Sequence, residues 1–250
     1  MIVAIQQPHY LPWLGYLHRM ANADLFVLLD HVQFERGSYQ NRTMVRVNGA
    51  SKWLTVPVLQ RSHKERILDK EIDWTDDVGR KHFLTLRHSY GECEHFARYA
   101  GELRRIYETK WRYLVELDDA LLAFLRDAYG IRTRIVKSST LDAKGTRGEL
   151  LLDICRAVGA DTLLVGPGGG DLDREAFARC GIGLQLQRFV QPQYTQFGPQ
   201  PFIPGLSAVD MLFNRGAEAP MDSYRDIARM NGRIGVQHAE GLGVGRMLLN

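Results

Sequence analysis

The chain has 250 residues, 45% of them hydrophobic and 24% charged, which is ordinary for a globular protein with one large domain. The net charge of +3 is small and scattered, so a nucleic-acid partner is not indicated, whereas an anionic small molecule would suit this charge. The sequence shows no membrane-length apolar run and no signal peptide pattern, and its three cysteines have no CxxC spacing, so we expect a cytoplasmic protein with free thiols.

The N-terminal part of the chain predicts two buried strands joined by a polar loop and a helix. "MIVAI" is an apolar run typical of a buried strand, and "LFVLL" over 25–29 is a second such run that ends at Asp30. From Trp13 onward apolar residues recur at helical spacing, and Pro12 occupies the expected first helical position. Two apolar segments on either side of Asn48-Gly49 then predict a hairpin.

The middle of the chain predicts a polar stretch followed by helices. Residues 59–74 carry charges of both signs and are interpreted as a solvated loop or a mobile flap. Helical segments follow around 76–90, 93–109 and 111–129, which together predict a helical insertion near 75–130.

From residue 133 onward, predicted strands and helices alternate. "TRIVK", "TLLVG" and "LQLQRF" predict strands, "REAFARCG" predicts a helix, and Thr146 with Glu149 has capping-box spacing at the start of another helix. This alternation favours parallel pairing with right-handed crossovers. We therefore predict an α/β fold with a mostly parallel sheet and flanking helices, as a single domain over 1–216 with a C-terminal extension over 217–250.

Hydrogen-bonding residues collect just after four of the predicted strands. QQPHYLP follows the first strand, Asp30 and Gln33 follow the second, and Ser138-Ser139-Thr140 and GPGGGD follow two later strands. Open parallel sheets bind ligands outside the carboxyl ends of their strands, and helix N-termini at that edge favour anions. The sequence thus predicts a pocket for an anionic small molecule, a class that includes nucleotide-linked metabolites.

Each of these features also has a structural explanation. The glycines at 166 and 168–170 match neither GxGxxG nor the Walker loop and could form a flexible turn. His9 could be an acid or base or make a structural hydrogen bond, and Asp30 could be a general base or cap the next turn. Asp210 and Asn214, one helical turn apart, could be ligand contacts or internal struts.

Metal and nucleophile chemistry have little support in the sequence. His82 and His88 would point to different sides of a helix, and the Cys93–His95 spacing fits no common zinc pattern. Ser207 has no evident base, and GxSxG does not occur. We predict no metal site, and the sequence identifies no cofactor.

Several long segments, spanning about residues 3–216, resemble the WbqC-like protein family. They are QQPHYLPWLGYLHRMANADLFVLLDHVQFERGSYQNR, WLTVPV, RGELLLDICRAVGADTLLVGPGGGDL and YTQFGPQPFIPGLSAVDMLFNRG. The resemblance implies a biosynthetic enzyme of polysaccharide, nucleotide-sugar or natural-product pathways, namely a transferase that modifies an amino group on an activated sugar or similar metabolite. An aromatic residue usually follows the glycine run in this family, whereas Asp171-Leu172 follows it here.

The positions that fit the family's shared motifs extend over most of the chain. They are Gln7, Pro8, Tyr10, Pro12, Gly15, Asp24, Asp30, Gln33, Asn41, Arg42, Ser139, Arg147, Gly166, Gly168, Gln196, Ser207, Asp210 and Asn214.

The leading functional hypothesis is a transferase that moves an acyl or aminoacyl group onto an amine of a nucleotide-linked sugar or similar metabolite. His9 or Asp30 would accept a proton from the amine, and backbone N–H groups of 166–170 would stabilise negative charge. The predicted catalytic residues are His9, Asp30 and Asp210, and the predicted substrate-binding residues are Gln7, Tyr10, Gln33, Asn41, Arg42, Ser139, Arg147, Gly166, Gly168, Gly169, Gln196, Ser207 and Asn214.

Two alternatives to this hypothesis stay open. One is an ATP-dependent activating enzyme of the nucleotidyl-transfer or ligase type, acting in the same pathways. The other is a non-catalytic binding or scaffold protein. The sequence does not indicate an oligomeric state.

Overall fold

Five short strands pair side by side into one parallel sheet in the computed structural model, which describes residues 1–62, 64–167 and 172–217. The strands are β1 (Ile2–Gln6), β2 (Leu25–Leu28), β5 (Arg134–Lys137), β6 (Thr162–Val165) and β7 (Gly183–Leu186). Their order is β5-β2-β1-β6-β7, and every neighbouring pair is parallel. The predicted α/β fold with a mostly parallel sheet is therefore confirmed.

Helices connect these strands and cover both faces of the sheet. The connecting helices are α1 (Leu14–Ala21), α5 (Arg147–Val158) and α6 (Arg174–Arg179), and α7 (Ala208–Arg215) follows the last strand. The helical insertion comprises α2 (Val78–Tyr90), α3 (Phe96–Glu108) and α4 (Leu114–Ala128), close to the predicted bounds.

The core follows from the alternation of side chains along the strands, which sends neighbouring residues to opposite faces of the sheet. Ala4 and Phe26 belong to a large cluster that includes Leu17 of α1 and Leu121 of α4. On the other face, Val3, Leu25 and Val27 pack against Leu150 and Ile154 of α5. The strands are apolar on both faces because helices bury both of them.

A separate antiparallel hairpin of β3 (Arg42–Val47) and β4 (Ala50–Thr55) precedes the helical insertion. Its turn is Asn48-Gly49, as predicted, and both residues have positive φ, +50° and +80°. A two-residue turn of this kind matches the twist of the strands it joins, and asparagine and glycine adopt it most readily.

The start of α1 differs from its prediction. The helix begins at Leu14, with Trp13 as the N-cap, so Pro12 lies outside it. The Pro12 carbonyl instead accepts a hydrogen bond from the N–H of Ala208 at 2.9 Å, which ties this loop to α7.

The capping box predicted at Thr146 and Glu149 is absent, although the helix does begin at that place. Thr146 is the N-cap of α5, yet its side chain makes no capping hydrogen bond. The reason is the local backbone geometry. Arg147, the first residue of α5, has a φ of +51°, so the helix does not start with regular helical dihedral angles.

The interpretation of 59–74 as a solvated loop or a mobile flap is wrong for residues 67–72, which pack into the protein, whereas residues 60–62 and 64 are exposed. Ile67, Lys70 and Ile72 are buried, and 67–69 form a short 3₁₀ helix. The Lys70 ammonium bonds to Glu65 Oε2 at 2.7 Å, and both side chains are shielded from solvent. Isolated β-bridges join Val58 to Ile72 and Gln33 to Arg66.

The cysteines are free thiols, with Cys93 and Cys155 buried and Cys180 exposed. Among the described residues, no helix is long and apolar enough to cross a membrane. Of the C-terminal extension predicted over 217–250, only Ala217 is described, so the division into domain and extension stays a prediction.

Candidate functional site

The carboxyl ends of all five parallel strands lie at one edge of the sheet. Read from one side of the sheet to the other, the residues that end or follow the strands are Ser138, Asp30, Gln6, Gly166 and Gln187. The chain reverses its winding direction between β1 and β6, since β2 and β5 lie on one side of β1 and β6 and β7 on the other. Such a switch point is where open α/β sheets hold ligands.

Arg19 of α1 reaches across the switch point. Its Nε donates to Gln187 Oε1 at 2.8 Å and its Nη1 donates to Gln6 Oε1, so two amide oxygens orient the guanidinium. A methyl group added to Gly166 would overlap the remaining nitrogen, Nη2. Within 1–62, 64–167 and 172–217, no carboxylate lies within ion-pair distance of Arg19. Burial lowers its pKa to about 10, so it stays a cation at neutral pH.

His9 lies beside this cation in the polar loop after β1. Its ring stacks between Tyr16 and Tyr39, with centroids 4.9 and 5.7 Å away, and its Nδ1 is buried without a hydrogen-bond partner among the described residues. Burial and, secondarily, the Arg19 charge lower the pKa of His9 to about 3. His9 is therefore neutral near pH 7, which suits a hydrogen-bonding role better than that of a general base.

We call Gln6, His9, Arg19, Gly166 and Gln187 the switch-point cluster. Gln187 holds it together, because its Nε2 donates to the Gly15 carbonyl at 2.7 Å and to His18 Nδ1 at 2.9 Å. The polar groups around Arg19 are thus amides and neutral imidazoles. A cation in such surroundings is an anion-binding arrangement, because no neighbouring described residue neutralises it.

The other predicted residues of the first loop bond to the protein itself. Gln7 Oε1 accepts from Gln40 Nε2 at 2.8 Å. Tyr10 is fully buried and points into the helical insertion, where its hydroxyl lies 2.7 Å from His82 Nδ1 and 2.5 Å from the Tyr107 hydroxyl.

Asp30 organises the strand ends on the other side of β1. Its carboxylate accepts from Ser138 Oγ at 3.0 Å, from the Ser139 N–H at 2.9 Å and from Ser139 Oγ at 2.7 Å. These donors leave the carboxylate little capacity for a substrate proton. Asp30 caps the 3₁₀ turn after β5, which is the structural role that the sequence left open.

His31 completes this Asp30 cluster (Asp30, His31, Ser138 and Ser139). Its Nδ1 lies 2.6 Å from Ser138 Oγ. Because the single proton of that hydroxyl goes to Asp30, Nδ1 must carry a proton and donate it to Ser138. The lone pair is then on Nε2, to which no described residue donates. His31 is better arranged than Asp30 to accept a proton.

Two acidic residues of α4 lie near the same edge. Asp119 Oδ2 pairs with Lys137 Nζ at 2.5 Å, while its Oδ1 is buried without a partner among the described residues. Asp118 is 1% exposed, and neither of its oxygens has a partner in the described part of the chain. Burial and the neighbouring Asp119 raise the pKa of Asp118 well above its usual range, which favours the protonated acid.

Asp210 lies in a second cluster, which belongs to α7 and the extended segment before it. Its carboxylate accepts from the hydroxyls of Tyr90 (2.9 Å) and Tyr194 (2.7 Å) and from Gln196 Nε2 (2.9 Å). The Arg46 guanidinium bonds to Gln196 Oε1 at 2.7 Å. Neither the three partners of this carboxylate nor Arg46 belongs to the switch-point or Asp30 clusters. These contacts are typical of a buried hydrogen-bond network that supports the structure.

Ser207 and Asn214 lie at the two ends of the same helix. Ser207 is the N-cap of α7, where its Oγ accepts from the Val209 N–H. Asn214 Oδ1 accepts from the Phe197 N–H at 2.7 Å and its Nδ2 donates to the Asp210 carbonyl at 2.7 Å. Asp210 and Asn214 thus share one face of α7, as predicted. Both side chains bond to residues of the extended segment that precedes this helix.

The remaining predicted residues are dispersed. Gln33 is exposed, Asn41 donates to the Val56 carbonyl at 2.8 Å, and the Arg42 guanidinium stacks over Trp53 at 4.2 Å. Arg147 is exposed at the start of α5. Gly168 and Gly169 lie outside the described residues, so the predicted role of the glycine loop stays a prediction.

Three residues that the sequence did not single out are central to this edge: Arg19, His31 and Gln187. His31 follows Asp30 directly and could have been included with it. Arg19 and Gln187 lie 168 positions apart, and only the pairing of β6 and β7 beside β1 brings them together. No group of three or more His, Cys, Asp or Glu side chains in the described chain could hold a metal ion.

The fold and this edge define a doubly wound α/β protein with a half-buried guanidinium at the switch point of its parallel sheet. Comparison with known proteins is more specific: the chain belongs to the WbqC-like protein family, which matches residues 7–221. It is 30% identical over 223 residues to an uncharacterized protein of Mycobacterium tuberculosis, across 87% of this chain and 95% of that protein. No solved structure matches the chain. The resemblance seen in the sequence is thereby confirmed.

Proposed function

We propose that this protein is a biosynthetic transferase that moves an acyl or aminoacyl group onto an amine of an anionic metabolite, such as a nucleotide-linked sugar. The observation that carries the proposal is Arg19, a half-buried cation at the switch point that two amide oxygens orient and that has no carboxylate partner in the described chain. A buried charge is normally paired, so an anionic ligand is the natural partner of this guanidinium.

The chemical step assigned to this edge is attack of the amine nitrogen on an activated ester or thioester carbonyl. The new C–N bond forms, the bond from the acyl carbon to the donor oxygen or sulfur breaks, and the leaving group takes that electron pair. The amine loses a proton to Nε2 of His31, which then passes the proton to the leaving group. Asp30 and Ser138 act as positioning residues because they fix the tautomer of His31.

Binding is tested by thermal denaturation with pyrophosphate, nucleoside diphosphates and amino-sugar nucleotides. Wild-type protein and the control variant R179Q, which loses an exposed arginine, should be stabilised by about 3 kcal/mol at a hundredfold excess over Kd. R19Q should lose this stabilisation. Equal stabilisation of R19Q and R179Q would count against the anion site.

Catalysis is tested by mass spectrometry on mixtures of amino-sugar nucleotides with acyl thioester or aminoacyl donors. The expected product is the acceptor plus the acyl mass, and H31Q should lower kcat about 100-fold with little change in KM. AMP or pyrophosphate released from ATP would instead identify an activating enzyme. Ligand binding without any product would favour the scaffold alternative.

A further inference from the structure

We propose that Trp53 of β4 is a stacking platform for the base of a nucleoside phosphate whose phosphate binds Arg19. This inference rests on the anion site proposed above and names the class of its ligand. It starts from a large aromatic side chain on the hairpin that is 38% exposed.

A continuous series of ring contacts connects this tryptophan to the switch-point cluster. Trp53 meets Tyr39 with centroids 5.4 Å apart, and Tyr39 stacks on His9 at 5.7 Å with ring planes 23° apart. His9 in turn belongs to the switch-point cluster, where burial and, secondarily, the charge of Arg19 lower its pKa. Two ring contacts therefore separate the surface platform from the cluster that holds the guanidinium.

Backbone and side-chain hydrogen bonds join the middle of this series, at Tyr39, to the loop that carries His9. The Tyr10 N–H donates to the Tyr39 carbonyl at 3.0 Å, and Gln40 Nε2 donates to Gln7 Oε1 at 2.8 Å. The loop that carries Tyr39 is thus fixed to the loop that carries His9. A ligand that spans both would meet surfaces already in position, which reduces the entropy lost on binding.

Arg42 gives the platform its electrostatic character. Its guanidinium carbon lies 4.2 Å from the centroid of the Trp53 ring, and its Nε is buried without a hydrogen-bond partner in the described chain. Arg42 and Tyr39 both contact the indole, and we expect the ligand ring to stack on its exposed part. Nucleobases suit such a face because each presents a planar π surface, and stacking of this kind tolerates any base.

The test compares affinities for a nucleoside diphosphate, a sugar phosphate and pyrophosphate by titration calorimetry. Wild-type protein should bind the nucleoside diphosphate about tenfold or more tightly than the other two ligands, as expected of one stacked base. W53L should lose this preference and bind pyrophosphate as before, whereas W53F should keep most of it. The control F197L removes another exposed aromatic ring and should change neither affinity.

The possible outcomes separate the platform from the anion site. Equal wild-type affinity for the three ligands, or a W53L loss that extends to pyrophosphate, would overturn the platform while leaving the anion site intact. A preference for the sugar phosphate that W53L abolishes would make the platform a sugar site and would also overturn the proposal. If wild-type protein binds none of the ligands, both the platform and the proposed anion site fail.

Discussion

Gly166 and Arg19 lie so close together that a methyl group added to the glycine would overlap Nη2 and come within 2.8 Å of Cζ of the guanidinium. The missing side chain at residue 166 gives the guanidinium its space beside the end of β6. Close approach, rather than an unusual backbone angle, is the reason for glycine at this position.

We expect G166A to weaken anion binding by moving Arg19. The guanidinium is the end of a flexible side chain, so it can shift away from the methyl group, and the free energy of unfolding should fall by only about 1 kcal/mol. Pyrophosphate affinity should fall about tenfold, measured by titration calorimetry. G101A is the matched control, because a methyl group there meets no atom within 4 Å. Unchanged affinity in G166A would contradict the proposed place of the anion.

From the Asp30 cluster we expect S138A to affect turnover, and D30N to affect both turnover and stability. S138A removes the hydroxyl that bonds both His31 Nδ1 and Asp30, while Ser139 still donates to Asp30, so it should lower kcat about tenfold with little effect on KM. D30N should also destabilise the protein by about 2 kcal/mol, because a carboxylate with several donors is replaced. The pH dependence of kcat and urea unfolding provide the two measurements. A D30N variant with normal turnover and normal stability would exclude both roles.

Asp118 predicts a loss of stability as the pH rises. Its folded-state pKa is raised by burial, so above the usual carboxyl pKa the unfolded chain releases a proton that the folded chain keeps. The free energy of unfolding should therefore fall with pH, by at most about 1.4 kcal/mol per pH unit for this group. D118N should flatten this dependence between pH 5 and 8 in urea unfolding, whereas the exposed control D127N should not. Parallel pH curves for wild type and D118N would disprove the assignment.

For Glu65 we expect the free energy of unfolding to fall as the pH is lowered. Bonds from the Lys70 ammonium and from the Ser62 N–H lower the pKa of Glu65 to about 2. Its contribution is present above the ordinary carboxyl pKa of 4.5 and is lost as the pH falls from there to about 2. E65Q should lose about 3 kcal/mol at pH 7, because Lys70 stays buried without its partner, and should be less sensitive to acid. The exposed control E175Q should match wild type in the same denaturation series.

Asp210 is expected to support structure rather than ligand binding. D210N should lower the unfolding free energy by about 2–3 kcal/mol, since Tyr90, Tyr194 and Gln196 all donate to this carboxylate. The folded protein should keep its affinity for pyrophosphate, measured by calorimetry below the melting temperature. A stable D210N variant that has lost turnover would restore the catalytic role predicted from the sequence.

The sequence predicts most of the fold because the strands are short apolar runs between clear breaks. Leu25–Leu28 and Thr162–Val165 are visible as such runs, and Asn48-Gly49 marks the hairpin. The burial of part of the segment 59–74 is not predictable from the sequence, because its many charged residues indicate contact with solvent. Lys70 looks solvated in the sequence, and only its pairing with Glu65 under Phe34 allows it to be buried.

The candidate site was predictable only in its position at the strand ends. Gln7, His9, Asp30, Ser139 and Gly166 all lie at that edge of the sheet or in the loops that leave it. Arg19 has no local signal, because it is one arginine in an amphipathic helix and its burial depends on residues beyond position 160. Asp210 is recognisable in the sequence as a polar residue in an apolar segment. Its structural role is not, because its partners Tyr90 and Tyr194 come from other parts of the chain.

The position of β1 has a consequence for how the molecule assembles during synthesis. Of the five strands of this sheet, β1 is synthesised first but lies in the middle, where its second neighbour, β6, begins only at Thr162. Until then the nascent chain presents one open edge of its central strand, a state that favours aggregation. The switch point that Arg19 spans can therefore form only after β6 has been synthesised.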